Sequence, residues 1–132
     1  MPRHWLLKTE PSTYSWEDLE KEKQTRWDGV TAPAALLHIR NMKKGDQAVI
    51  YHSGDVRSAI GLADVTTAPY VDPEGDSEKF AVVDVRANRR LERPVDLATI
   101  KANPLFADSP LVRISRLSVV PLTPEQFRLL TS

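Results

Sequence analysis

A chain of 132 residues has room for one hydrophobic core and buries roughly 65 to 70% of its unfolded surface, so one domain is expected, without linkers between independent modules. With 41% apolar and 27% charged residues, the composition is that of a soluble globular protein, which excludes a disordered or membrane-embedded chain. Eighteen basic and eighteen acidic side chains cancel, which excludes tight sequence-blind coating of DNA. The lack of cysteine excludes disulfides and thiolate metal sites.

The first residues, Met1 to Lys8, hold too short an apolar run for a secretory signal, so a cytoplasmic protein with no membrane attachment is expected. His4, Trp5, Leu6 and Leu7 alternate as a short strand, which the Pro11, Ser12, Thr13 group breaks. Ser15 reads as the N-cap of a helix with Asp18 at its third position, and Tyr14 and Leu19 are spaced for a hydrophobic staple. Lys23, Gln24 and Thr25 end that helix, and Trp27, Asp28, Gly29 and Val30 read as a turn.

Pro33 opens a second helix, in which Ala35, Leu36, Ile39 and Met42 recur at spacings of three and four, and Gly45 suits its C-terminal cap. Residues 47 to 52 and 58 to 66 read as strands of one hairpin, and a further strand runs from Phe80 to about Arg86. Asp96 caps a third helix that Pro104 stops, residues 115 to 120 form the last strand, and Thr123 with Gln126 makes a capping box for a closing helix. Strands joined by hairpin-length links, without a βαβ rhythm, imply an α+β domain around a small antiparallel barrel.

Two basic clusters stand out, Arg86, Arg89, Arg90 and Arg93, and then Arg113 with Arg116. The first is also what a solvated strand edge looks like. Catalytic patterns are sparse. His52 beside Ser53, with Asp55 or Asp28, is the nearest approach to a triad, and no nucleophile elbow is present. His4, His38 and His52 share no ligand spacing, so no metal is expected, and the scattered glycines form no dinucleotide or phosphate loop, so no cofactor is expected.

What remains are polar and aromatic residues at strand ends and turns: Lys8, Thr9 and Glu10; Trp27 and Asp28; Tyr51, His52 and Ser53; Arg113 to Arg116. Pockets at barrel mouths are lined in this way. An indole face can stack on an unstacked base for ~1 to 3 kcal/mol, and a carboxylate such as Asp28 can accept from an exocyclic amine. Trp27 alone is equally readable as a core residue.

The segments Trp5 to Pro11, Arg26 to Val30, Met42 to Asp46, Tyr51 to Ser53, Val83 to Arg86, Arg93 to Val95, Leu111 to Val119 and Pro121 to Glu125 resemble, in order, those of an EVE domain. The resemblance implies a PUA-like fold, a small antiparallel or mixed β-barrel flanked by short helices, similar to the YTH readers and the thymocyte nuclear protein family. It implies a non-catalytic module that binds nucleic acid, DNA or RNA, and takes a modified base, notably a C5-modified cytosine, in some settings beside a nuclease or restriction partner.

By position, the resemblance makes Trp27 the stacking wall and Asp28, Gly29 and Val30 the adjoining turn. Lys8 and Thr9 face Tyr51, His52 and Ser53 across the cavity, and Arg113, Ser115 and Arg116 form a basic rim for phosphates. One departure stands out. Where the family continues with a polar Arg-Asn-Tyr-Gln-Ala-Arg-Asn-like segment, this chain has Thr31, Ala32, Pro33, Ala34, Ala35, Leu36 and Leu37. Ala32 cannot hydrogen-bond a base as asparagine can, and Pro33 lacks both an aromatic ring and a backbone donor. Two other functions fit the same residues: a hydrolase or glycosylase acting on a modified nucleotide with His52 or Asp28 as base, and an accessory domain that binds a protein partner through the first basic cluster.

Overall fold

A computed structural model of the chain describes residues 3–114 and 116–132. In chain order it contains β1 (His4–Thr9), α1 (Trp16–Glu22), β2 (Gln24–Trp27), α2 (Pro33–Asn41), β3 (Gln47–His52), β4 (Ser58–Val65), β5 (Tyr70–Val71), β6 (Ala81–Asp96), α3 (Leu97–Ala102), α4 (Pro110–Arg113), β7 (Val119–Leu122) and α5 (Pro124–Thr131).

The helix starts follow from local chemistry. Ser15 accepts from the Asp18 N–H while the Asp18 carboxylate accepts from the Ser15 N–H, and Thr123 with Gln126 repeats the reciprocal pair at α5. Each box satisfies two backbone donors that a helix start would otherwise leave open. The Asp96 carboxylate accepts from the Thr99 N–H at 2.8 Å to start α3.

Strand pairing runs β2-β6-β4-β3-β1-β7, with β5 added on β6. Among the described residues the β1–β3 pair is parallel and the other ladders are antiparallel. The α+β, PUA-like architecture expected from the sequence is present, with one difference in the barrel. No ladder joins β2 to β7 among the described residues, so the strands form an open, twisted sheet. Helix α2 packs against both β6 and β7.

Buried apolar residues from sheet and helices form one continuous cluster, with Leu6, Val49, Ile50, Val65, Val83 and Val85 from the strands and Trp16, Leu19, Ile39, Phe106 and Leu130 from the helical segments. Trp16 of α1 lies flat over Gly61 of β4, where an added Cβ would fall inside the indole ring's own volume. Buried Asp46 ties the N-terminal strand down, its carboxylate accepting from the Trp5 indole N–H at 3.0 Å and from the backbone N–H groups of Arg3 and Lys43 at 2.9 Å.

Four expectations change. Gln24 to Trp27, read as a helix end and turn, are a strand, because β6 supplies a partner for each residue from Arg86 to Val83. Strand β6 reaches Asp96, so the first basic cluster lies on a long ribbon paired with β4. Of the strand expected over 115 to 120, Ser115 lies outside the described residues, and the described strand is Val119–Leu122, where β1 offers Leu7 as the partner of Val119. Before it, Ser109 caps α4 and the Leu117 N–H donates to Ile114 in a turn. Gly45, expected as the α2 cap, lies in the turn before β3, while Met42 caps the helix.

Candidate nucleic-acid interface

Trp27 is the last residue of β2, registered opposite Val83 of β6. Pairing fixes its backbone, and Tyr14, just before α1, meets the indole edge-on. Directly after it the chain turns away through Asp28 and Gly29. Gly29 holds φ at +79°, a left-handed conformation that a side chain disfavours.

This turn bounds a cavity of about 530 Å3, within the range of clefts that take small ligands. Lys8, Thr9 and Glu10 at the end of β1 make one wall, Thr13 and Tyr14 a second, and Thr25, Arg26, Trp27, Asp28, Gly29 and Val30 a third, while Ser118 closes the base. Trp27 as a residue is 7% exposed and belongs to the core cluster, and it also lines this hollow.

The walls carry both signs of charge, Lys8 and Arg26 against Glu10 and Asp28. Burial lowers the pKa of the Lys8 ammonium, which lies 5.8 Å from the centroid of the Tyr51 ring. The Tyr14 hydroxyl is pushed up to about 12 by burial and by its hydrogen bond to Glu22, so it is a neutral phenol. Thr9 Oγ1 donates to the Tyr14 carbonyl at 2.6 Å, leaving oxygen lone pairs that can accept.

Seven of the residues singled out from the sequence therefore meet at one cavity: Lys8, Thr9, Glu10, Trp27, Asp28, Gly29 and Val30. Tyr51, His52 and Ser53, expected across it, are not among its lining residues. Parallel pairing registers Tyr51 with Lys8 and His52 with Thr9, so these residues lie beside the first wall. Tyr51 is 3% exposed and supports Lys8 from below. His52 is buried, its Nε2 accepting from the Trp16 N–H at 2.9 Å. The Ser53 N–H donates to the Thr9 carbonyl at 2.9 Å.

Arg113 and Arg116 are exposed and line no part of the cavity, and Arg113 faces Asp108 at 3.8 Å. Ser115 lies outside the described residues. From that stretch it is Ser118 that reaches the site, because its carbonyl accepts from the Lys8 N–H at 2.9 Å. Ala32 and Pro33 are exposed at the start of α2, beyond the last lining residue, Val30. The departure from the family segment thus lies outside the cavity wall.

The first basic cluster is largely answered by the protein itself. Arg86 pairs with Asp64 at 3.5 Å, Arg89 donates to the Thr131 carbonyl, and Arg90 pairs with Glu17 and Glu20. These contacts fit the solvated strand edge. The residues that sequence reasoning missed as lining are Thr13, Tyr14, Thr25, Arg26 and Ser118. Tyr14 was legible only as half of a staple, and nothing local marks Thr25 or Ser118.

Comparison with known proteins adds to this geometry. Residues 3–132 match the EVE domain. Human thymocyte nuclear protein 1 is 33% identical over 159 residues, covering 94% of this chain and 70% of that protein. The solution structure of a Rhodopseudomonas palustris protein superposes with a TM-score of 0.91 at 40% identity, covering 98% of this chain and 90% of the other. Human THYN1 protein, solved in complex with 5-methylcytosine containing DNA, superposes with a TM-score of 0.86 at 29% identity, covering 96% and 95%.

Proposed function

The chain belongs to the EVE domain family, and from that premise we propose that it is a reader that holds one C5-modified cytosine of DNA in the cavity beside Trp27 and does not transform it. The observation that carries this reading is an open hollow of about 530 Å3 against the indole that the sequence singles out. The 5-methylcytosine containing DNA bound by human THYN1 protein supports the choice of base.

The wall chemistry suits that base. The exposed part of the Trp27 ring packs on the face of a base that has left its stack. Val30, half-buried in the lining, offers methyl groups to a C5 substituent, and the Asp28 carboxylate accepts from the exocyclic amine. Unstacking a nucleotide takes a few kcal/mol, comparable to the ~1 to 3 kcal/mol of one stacking contact. Affinity for unmodified duplex is therefore low, and contacts inside the cavity set the preference.

The hydrolytic alternative is weakened by His52, whose Nε2 is buried and already accepts from the Trp16 N–H. A general base needs that lone pair. Tryptophan fluorescence tests the reading, because Trp5 and Trp16 lie buried in the core and do not line this cavity, leaving Trp27 as the indole that a base there reaches. Titration with duplexes carrying one 5-methylcytosine is expected to quench emission at lower concentration than unmodified duplexes do, and mass analysis is expected to recover the oligonucleotide unchanged. Equal quenching by both duplexes, or a new product, contradicts the proposal.

A further inference from the structure

Arg26 stands between two hollows. It lines the cavity of Trp27, and with Gln24, Thr25, Tyr70 and Asp84 it lines a second, more polar hollow of about 330 Å3. Among the described residues it is the arginine that lines the cavity, whereas Arg113 and Arg116 do not line it. Because side chains alternate along β2, its guanidinium leaves the strand on the face opposite the Trp27 indole, at the outer rim beside Tyr70, Asp72 and Glu74. A base held against Trp27 brings its own phosphates to the rim of the same wall, and a guanidinium is the side chain best matched to phosphate oxygens.

That guanidinium is already engaged. Nη1 lies 2.8 Å from Glu74 and 3.4 Å from Asp72, and Nε lies 3.4 Å from the Tyr70 hydroxyl. Both carboxylates come from the segment between β5 and β6, where Asp72, Glu74, Asp76 and Glu78 accompany one base, Lys79. The segment holds its own shape: the Asp72 N–H donates to Phe80, the Gly75 N–H to the Asp72 carbonyl, and the Glu74 N–H to the Asp72 carboxylate. The Glu74 side chain is 81% exposed, so its ion pair with Arg26 contributes little to the fold.

From these contacts we infer that Arg26 is the phosphate-binding residue of the reader site, and that Asp72 and Glu74 hold it in place of phosphate until nucleic acid binds. The inference rests on the reading that the cavity takes a nucleotide. Phosphate then exchanges with Glu74 on the guanidinium, one anion for another. The consequence is selectivity. With its arginine neutralised and no net charge on the chain, the rim has little attraction for ordinary duplex, and the exchange is driven by a base that also fills the hollow.

The test uses a duplex with a single 5-methylcytosine and measures Kd by fluorescence polarisation over a range of salt. Glu74→Gln is expected to tighten binding about two- to fivefold at low salt, the scale of an exposed ion pair. Arg26→Gln is expected to weaken binding and to lower the slope of log Kd against log salt by about 0.9, the loss of one phosphate contact. Arg26→Lys retains part of both. In the Arg26→Gln background, Glu74→Gln has no further effect.

Two results overturn the inference alone, provided Trp27→Ala loses the preference for the modified base. One is unchanged affinity and slope in Arg26→Gln, and the other is equal tightening by Glu74→Gln with and without Arg26. If instead folded Trp27→Ala binds as the parent does, the cavity reading itself fails, and this inference with it.

Discussion

The ring of Tyr14 meets the indole of Trp27 edge-on, with 6.1 Å between centroids and 86° between planes. This contact joins the start of α1 to the end of β2 and fixes the plane that the cavity presents. An aromatic pair of this kind contributes about 0.5 to 1.5 kcal/mol beyond burial. Tyr14→Ala is therefore expected to weaken binding of a 5-methylcytosine duplex by roughly two- to tenfold. Tyr14→Phe keeps the ring and loses the hydroxyl's bonds to Glu22 and Thr25, so its Kd should stay close to the parent's.

Gly61 and Trp16 pack with no room for a Cβ, because the indole covers the glycine Cα. Gly61→Ala forces the ring or the strand to move, and overpacking of this kind costs about 1 to 3 kcal/mol. Chemical denaturation is the check. The expected result is a lower midpoint with an unchanged slope.

Asp46 is buried and its carboxylate accepts from Trp5, Arg3 and Lys43. Asp46→Ala leaves the indole N–H of Trp5 without its acceptor inside the protein, so a loss of about 3 kcal/mol is expected. Because the contact lies outside the cavity lining, residual folded protein should keep its preference for modified DNA. A loss of preference without a loss of stability would contradict this division of roles.

Acid should destabilise the fold. Burial lowers the pKa of His52, and likewise of His4 and His38, below the ordinary value of 6.5. The folded state therefore favours the neutral ring, and between the folded and unfolded pKa values the unfolded chain binds more protons. Stability is at its full value above about pH 6.5 and falls as pH drops below it, levelling once the folded rings also protonate. Urea midpoints at pH 7.5 and 5.5 test the sign. In His52→Gln, whose amide oxygen can still accept from Trp16, the acid-induced loss should shrink.

Local chemistry made part of this structure legible. The reciprocal caps at Ser15 with Asp18 and Thr123 with Gln126 involve residues three apart, and the structure forms both. Strand β2 was not legible because Gln24, Thr25 and Arg26 carry no apolar alternation, and only the partner β6 makes them a strand. The same limit governs the site. The turn after Trp27 is visible in four consecutive residues, but which wall Tyr51 and His52 occupy depends on the parallel register of β1 and β3, which no short window contains. Ser118 enters the cavity through a backbone bond to Lys8, and no side-chain pattern announces that.

The central claim is that the Trp27 indole covers a modified base, and the direct measurement is the Kd of Trp27→Ala for a duplex bearing one 5-methylcytosine, with circular dichroism to establish that the variant is folded. Loss of one stacking contact is expected to weaken binding by about tenfold or more and to erase the difference between modified and unmodified duplex. A folded variant that binds the modified duplex as tightly and as selectively as the parent would contradict the account.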